Sequence, residues 1–310
     1  MIKENRDILR KRDFSRGEAF MKNGRVKKLV KAAIICASLL VVSGCIAKDE
    51  EQAPEESKET AGTEHVTAEI KKDSTDISGL DHTPSGWGPG VNFDEKNRPG
   101  DAVAAQEKYG KYDADFVKTG EKETNKIYLT FDEGYENGYT SQILDILEEK
   151  DAPAVFFVTL PYVKQQPELI RRMIDEGHIV GNHSVTHPSE GLPSQSVQQQ
   201  KQELMELHRY MKDNFAYEMT LFRYPAGIYS EQSLALVQNL GYTSVFWSFA
   251  YKDWDPSNQP DEKSALAKLT ERLHPGAIYL LHAVSETNAN ILGRFIDNAR
   301  AAGYEFQIYK

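Results

Sequence analysis

The stretch KIYLTFDEGYENG, residues 126–138, decides how the chain is read. Residues 127–131 are β-branched or aromatic enough to form a buried strand, and Gly134 and Gly138 let the backbone turn sharply beyond it. Asp132 and Glu133 then fall at the strand's C-terminal mouth. Acidic residues are common in solvated turns, and alone the stretch would be read as one. It opens a series, however. Further apolar runs follow at 154–159 (AVFFVT), 178–184 (HIVGNHS), 220–227 (TLFRYPAG), 243–250 (TSVFWSFA), 277–283 (AIYLLHA) and 305–309 (EFQIY). Amphipathic stretches such as 141–150 and 167–176 separate them, with Gly177, Gly241 and Gly303 as helix stops. About seven strands alternating with helices predict an α/β fold, a parallel barrel or sheet, whose functional groups collect at the C-terminal ends of the strands.

The strand ends carry a consistent set of residue types. Asp132 and Glu133 follow the first run, and His183 and His187 (NHSVTHP) follow the third. Arg223-Tyr224-Pro225-Ala226-Gly227 closes the fourth, Asp253-Trp254 follows the fifth, and His282 ends the sixth. Two histidines four apart often do no more than bond to backbone. Joined by a carboxylate from another strand, they make a half-filled site that suits zinc or a similar ion and leaves room for water and substrate. The set points to a metal-assisted hydrolase.

Charge and cysteine bound what surrounds this core. Residues 1–45 carry 11 Lys/Arg against 4 Asp/Glu, so the total of −10 leaves −17 on residues 46–310. A body that acidic repels nucleic acid and anionic lipid headgroups, which excludes a nucleic-acid partner and requires another cause for any membrane attachment. That cause is MKNGRVKKLVKAAIICASLLVVSGC at 21–45: a basic start, an apolar run too short to span a bilayer, then small residues before Cys45. VSGC resembles a bacterial lipoprotein box, with Cys45 lipidated and the mature protein held on the extracytoplasmic face of the membrane. Met21 is itself a fitting start, which would leave residues 1–20 outside the translated protein. The other cysteine, Cys36, lies inside the signal, so the mature body has no internal disulfide. Residues 46–84 are too polar to bury a core and read as a disordered acidic tether. Residues 85–124 read as an irregular lead-in packed on a domain spanning 125–310. No protein partner is indicated.

Taken in order, TFD, HSxxHP, RxPxG, DW and LLH resemble the NodB-homology polysaccharide deacetylases, carbohydrate esterase family 4, over about residues 125–306. TFDEGYENGYT, EGHIVGNHSxxHP and LLHAVSxxNA are closer still to the muramic-acid (δ-lactam) de-N-acetylases of spore-forming bacteria. The resemblance implies a distorted (β/α) barrel with a groove for an N-acetylated glycan such as peptidoglycan, and a divalent metal, zinc with cobalt, nickel or manganese as alternatives. It makes Asp132 the general base and Arg223 its orienting partner. His282 becomes the acid, tuned by Asp253. His183 and His187 become metal ligands, and Glu133 stands where the family usually has a third ligand, an aspartate. Tyr224, Pro225, Ala226 and Gly227 would border the substrate, the backbone near Ala226 holding the oxyanion, while Trp254 and Leu280 would wall the acetyl pocket.

Overall fold

The computed structural model describes residues 74–310. The expected export signal, Cys45 and the expected tether as far as residue 73 lie outside the described residues. In chain order, β1 (Ser85–Gly86), α1 (Gly100–Tyr109) and β2 (Ala114–Asp115) precede β3 (Lys126–Glu133). There follow α2 (Thr140–Glu149), β4 (Ala154–Val158), α3 (Leu160–Gln165), α4 (Pro167–Asp175), β5 (Ile179–Asn182), α5 (Val197–Phe215) and β6 (Leu221–Phe222). The chain continues through β7 (Ile228–Tyr229), α6 (Glu231–Asn239), β8 (Thr243–Val245), α7 (Glu262–Glu271), β9 (Ala277–His282), α8 (Glu286–Ala301) and β10 (Glu305–Phe306).

Every pair in the main sheet is parallel, in the order β10-β3-β4-β5-β6-β8-β2, with β9 also paired to β3. The segment after β8 reaches β9 in turn: Phe249 bridges to Tyr279, and the Leu280 N–H donates to the Phe249 carbonyl at 2.9 Å. The sheet therefore curls back on itself into the distorted barrel expected, its seven principal strands lying on the seven apolar runs. The strand side chains divide into two sets by their alternation. Tyr128, Val155, Phe157, Leu221, Val245, Ile278 and Tyr309 pack together inside the barrel. Leu129, Phe131, Phe156 and Tyr279 belong to the larger cluster shared with the helices, such as Ile143, Leu144 and Leu147 of α2 and Phe295 of α8.

The lead-in is more regular than its glycines and prolines predict. It holds the ten-residue α1 and supplies β2, which pairs with β8 as a further strand. Its aromatics explain the order: Phe116 stacks on Phe246 with centroids 4.3 Å apart, and Trp87 meets Phe116 edge-on at 4.5 Å. The tether also ends earlier than Pro84. Thr75 exchanges hydrogen bonds of 2.8 Å with the Asn239 side chain, and the Gln232 N–H donates to the Asp81 carbonyl at 2.9 Å, so this segment lies along α6. Backbone-to-amide bonding of this kind leaves no hydrophobic pattern in a sequence.

Candidate active site

A cleft of about 960 Å³ opens at the C-terminal ends of the strands. Asp132, His183, His187, Tyr224, Ala226, Gly227, Trp254, Leu280 and His282 line it, which brings together on one face most of the residues named from the sequence. Arg223 and Asp253 stand behind this lining, both fully buried. Pro225 is buried in the turn that carries its neighbours.

Asp132 and Arg223 form the base of the site. Arg223 Nη1 donates to Asp132 Oδ1 at 2.8 Å and to Thr130 Oγ1 at 2.7 Å, while its Nε and Nη2 donate to the carbonyls of Val245 and Phe246. The guanidinium lies 4.2 Å from the centre of the Phe157 ring, so it is fixed on all sides. Gly181 makes room for that ring: a Cβ there would come within 2.5 Å of it. Burial alone would raise the pKa of Asp132, but the charge and hydrogen bond of Arg223, with the nearby His282, outweigh it and hold the carboxyl below its ordinary value. The Asp132 carboxyl is therefore ionised.

His282 has the opposite setting. In the register of the sheet it stands directly beside Asp132, on the neighbouring strand. Its Nδ1–H donates to Asp253 Oδ1 at 2.8 Å and its backbone N–H to Oδ2 at 2.9 Å; Asn288 Nδ2 donates to Oδ2 at 2.6 Å. Burial pulls the imidazole pKa down, yet the hydrogen bond and charge of Asp253, with Asp132 beyond it, raise it above the ordinary value. Asp132 and His282 thus differ by environment, one held ionised and the other held protonated to higher pH, the directions an acid–base pair would need.

The histidines sit in a loop set by side chains. The Ser184 N–H donates to Asn182 Oδ1, the His187 N–H donates to Ser184 Oγ, and both the N–H and the hydroxyl of Thr186 donate to the Glu203 carboxylate. These bonds hold Ser184 and His187 in the left-handed region, at φ 69° and 50°. His183 Nδ1 faces the Arg223 carbonyl at 2.9 Å, which assigns the proton to Nδ1 and leaves Nε2 as an acceptor. Burial lowers its pKa to about 4, so the ring is neutral. Nε2 then meets a second acceptor, Asp132 Oδ2, at 3.5 Å, with the His187 ring centred 4.8 Å from that of His183. Facing acceptors of this kind suit a cation.

Glu133 does not join them. Asp132 shares its strand face with Tyr128 and Thr130, inside the barrel; Glu133, one residue on, shares the outer face with Leu129 and Phe131. Its carboxyl is completely buried, neither oxygen has a hydrogen-bond partner, and burial, then Glu136 and Asp132, push its pKa well up. Among the described residues no three His, Cys, Asp or Glu side chains are grouped to hold an ion. The two histidines fit a metal, and the third protein ligand expected at Glu133 is not delivered, because the strand's alternation turns it away. Glu136 serves the loop instead, accepting from the Gly138 N–H, the Thr140 hydroxyl and the Tyr162 hydroxyl.

Several lining residues were given no role from the sequence: Tyr135 and Trp247 lie within quoted stretches but were passed over, and Tyr251 and Lys252 fall in no quoted motif. Asn288, which grips Asp253, was within reach, since it lies in the LLHAVSxxNA pattern.

Comparisons with known proteins point to one family. The polysaccharide deacetylase family profile matches residues 119–245. The peptidoglycan-N-acetylmuramic acid deacetylase PdaA of Bacillus subtilis is 44% identical over 198 residues, 64% of this chain and 74% of that one. The solved structure of Bacillus subtilis PdaA, a family 4 carbohydrate esterase, matches with a TM-score of 0.68 at 39% identity, covering 74% of this chain and 96% of that one. The peptidoglycan-N-acetylglucosamine deacetylase PgdA of Listeria monocytogenes is 33% identical over 186 residues, which are 60% of this chain and 38% of that protein.

Proposed function

This chain belongs to the polysaccharide deacetylase family, carbohydrate esterase family 4, and from that premise we propose that it removes the acetyl group from N-acetylmuramic acid in cell-wall glycan, releasing acetate and leaving a free amine. It is a hydrolase of amide C–N bonds. The observation that carries the reading is the pairing of Asp132 with His282 on adjacent strands, one pKa lowered and the other raised. Muramic acid is preferred to glucosamine because the 44%-identical relative is a muramic acid deacetylase, whereas the glucosamine enzyme is more distant.

Asp132 takes a proton from the attacking water, and Arg223 keeps its carboxylate ionised and aimed. His282 donates its proton to the departing nitrogen, converting a poor leaving group into an amine. Asp253 and Asn288 hold that imidazole in place. Each positioned acid or base contributes on the order of 10²- to 10⁴-fold. The left-handed turn at Ala226, φ 53°, presents backbone to the cleft beside the reacting carbonyl, where an N–H donor is worth on the order of 3 kcal/mol. Trp254 and Leu280 enclose the acetyl methyl. The family's deacetylases are metalloenzymes, and His183 and His187 would hold the divalent ion, Zn²⁺ on their chemistry with Co²⁺, Ni²⁺ or Mn²⁺ as substitutes, whose contribution when bound is Lewis-acid polarisation of the carbonyl.

Mass spectrometry of defined muropeptides incubated with the full chain tests the reading. Acetyl loss from muramic acid supports it; loss from glucosamine alone selects the second reading, a glucosamine deacetylase; loss from neither defeats both. The export signal and VSGC box further support a lipid on Cys45 that tethers the enzyme outside the cell. A mature protein without a diacylglyceryl group would overturn that part.

A further inference from the structure

Of the residues that line the cleft, one, Lys252, is a lysine or arginine. Its side chain is exposed, and among the described residues its ammonium has no ion-pair or hydrogen-bond partner. Its backbone, by contrast, is held from both sides. Tyr251 is buried, and its hydroxyl donates to Asn288 Oδ1; Asp253 is buried and takes three hydrogen bonds from His282 and Asn288. A free cation therefore stands on a fixed base, one residue from the aspartate that orients the acid.

Its surroundings make that charge unusual. Residues 46–310 carry a net −17, and the one carboxylate in the cleft lining, Asp132, is already matched by Arg223. Nothing in the acid–base chemistry uses Lys252. The chemistry of the sugar does offer it a partner. Muramic acid differs from glucosamine by a lactyl ether on C3, next to the C2 that bears the acetamido group, and the lactyl arm ends in a carboxylate. An acetamido group held between Asp132 and His282 brings that arm into the same cleft. We infer that Lys252 pairs with the lactyl carboxylate of muramic acid and thereby sets the preference of the site for muramic acid over glucosamine. This inference rests on the muramic acid reading above. A lysine suits the task, being a compact point charge on a flexible stem that can follow one carboxylate. The contact forms equally in the ground and transition states, so it acts on KM.

The test compares two saccharides with the full-length protein: one with a free lactyl carboxylate, and the same saccharide with that carboxyl converted to a neutral methylamide. Wild type should favour the acid over the amide in kcat/KM. Lys252→Met should reduce that ratio by about three- to tenfold, chiefly through KM, and Lys252→Arg should keep most of it. Raising the salt concentration should shrink the ratio in wild type and leave it flat in Lys252→Met. A ratio equal in wild type and Lys252→Met overturns the assignment of Lys252 while the muramic acid reading stands. If wild type deacetylates an N-acetylglucosamine oligomer and neither muramic saccharide, the reading itself falls, and the inference with it.

Discussion

Replacing Asp253 by Asn tests the acid half of the site without touching substrate. Asp253 is fully buried and accepts from the His282 ring, the His282 backbone and Asn288. An asparagine there keeps one oxygen but turns an NH₂ toward groups that are themselves donors, so at least one contact becomes donor against donor. The negative charge that holds the proton on His282 is lost as well. A hydrogen bond to a charged group is worth about 1.5–3 kcal/mol, which at 1.36 kcal/mol per decade lowers the protonated fraction, and with it kcat at neutral pH, by roughly 10- to 150-fold. The sign is fixed: His282 is raised in wild type, so its acid form persists above the ordinary histidine value, and without Asp253 burial takes over and the alkaline limb of the kcat profile moves to lower pH. The acid limb, set by Asp132, should stay in place. The assay is acetate release across pH, with circular dichroism to confirm the fold. An alkaline limb that does not move in a folded Asp253→Asn variant would refute the role given to His282.

Arg223→Met should strand the buried Asp132 carboxylate, lowering stability by about 3–5 kcal/mol and moving the acid limb of activity to higher pH; an unchanged melting temperature would contradict the pairing. His178 and His274 are buried with pKa values lowered to about 4; their unfolded forms take up protons first as pH falls below about 6.5, so each should cost about 2 kcal/mol by pH 5 and the full amount near pH 4. His183, also lowered to about 4, adds a like share, so thermal melts from pH 7 to pH 5 should fall by roughly 15 °C and fall distinctly less in a His178→Gln/His274→Gln variant, whereas His282, raised in the fold, works in the opposite sense; a profile as steep in the double variant as in wild type would exclude these two histidines as a cause. Glu133→Gln, replacing a neutral buried carboxyl by its near-isostere, should bind Zn²⁺ in a calorimetric titration as wild type does, while His183→Ala should not; a Glu133→Gln protein that folds but loses the ion would return Glu133 to the ligand set.

What the sequence disclosed and what it hid divide along a physical line. The strands were legible because parallel strands covered on both faces are apolar almost throughout, as in AVFFV, and the site was legible because such folds place reactive residues just past the apolar run. The lead-in was hidden because its order comes from contacts distant in sequence: Trp87 with Phe116 and Trp247, Thr75 with Asn239. No local pattern announces a partner 160 residues away.

The adjacent acids of TFDEGY show the same division at the scale of one residue. Motif order places both at the strand's mouth, and resemblance gives both a task, but a strand that is still extended at Glu133 cannot aim two successive side chains into one cleft. Asp132 falls on the inner face with Thr130 and meets Arg223, whose guanidinium repays its burial. Glu133 falls on the outer face against the helices, where no cation waits, and its burial raises its pKa instead of anchoring an ion. The neutral form removes most of the cost of keeping a carboxyl in an apolar layer. The opening acids therefore have separate fates, one a carboxylate kept charged by its partner and the other a buried acid kept neutral by the lack of one, and among the described residues the two histidines remain the candidate hold for the proposed metal.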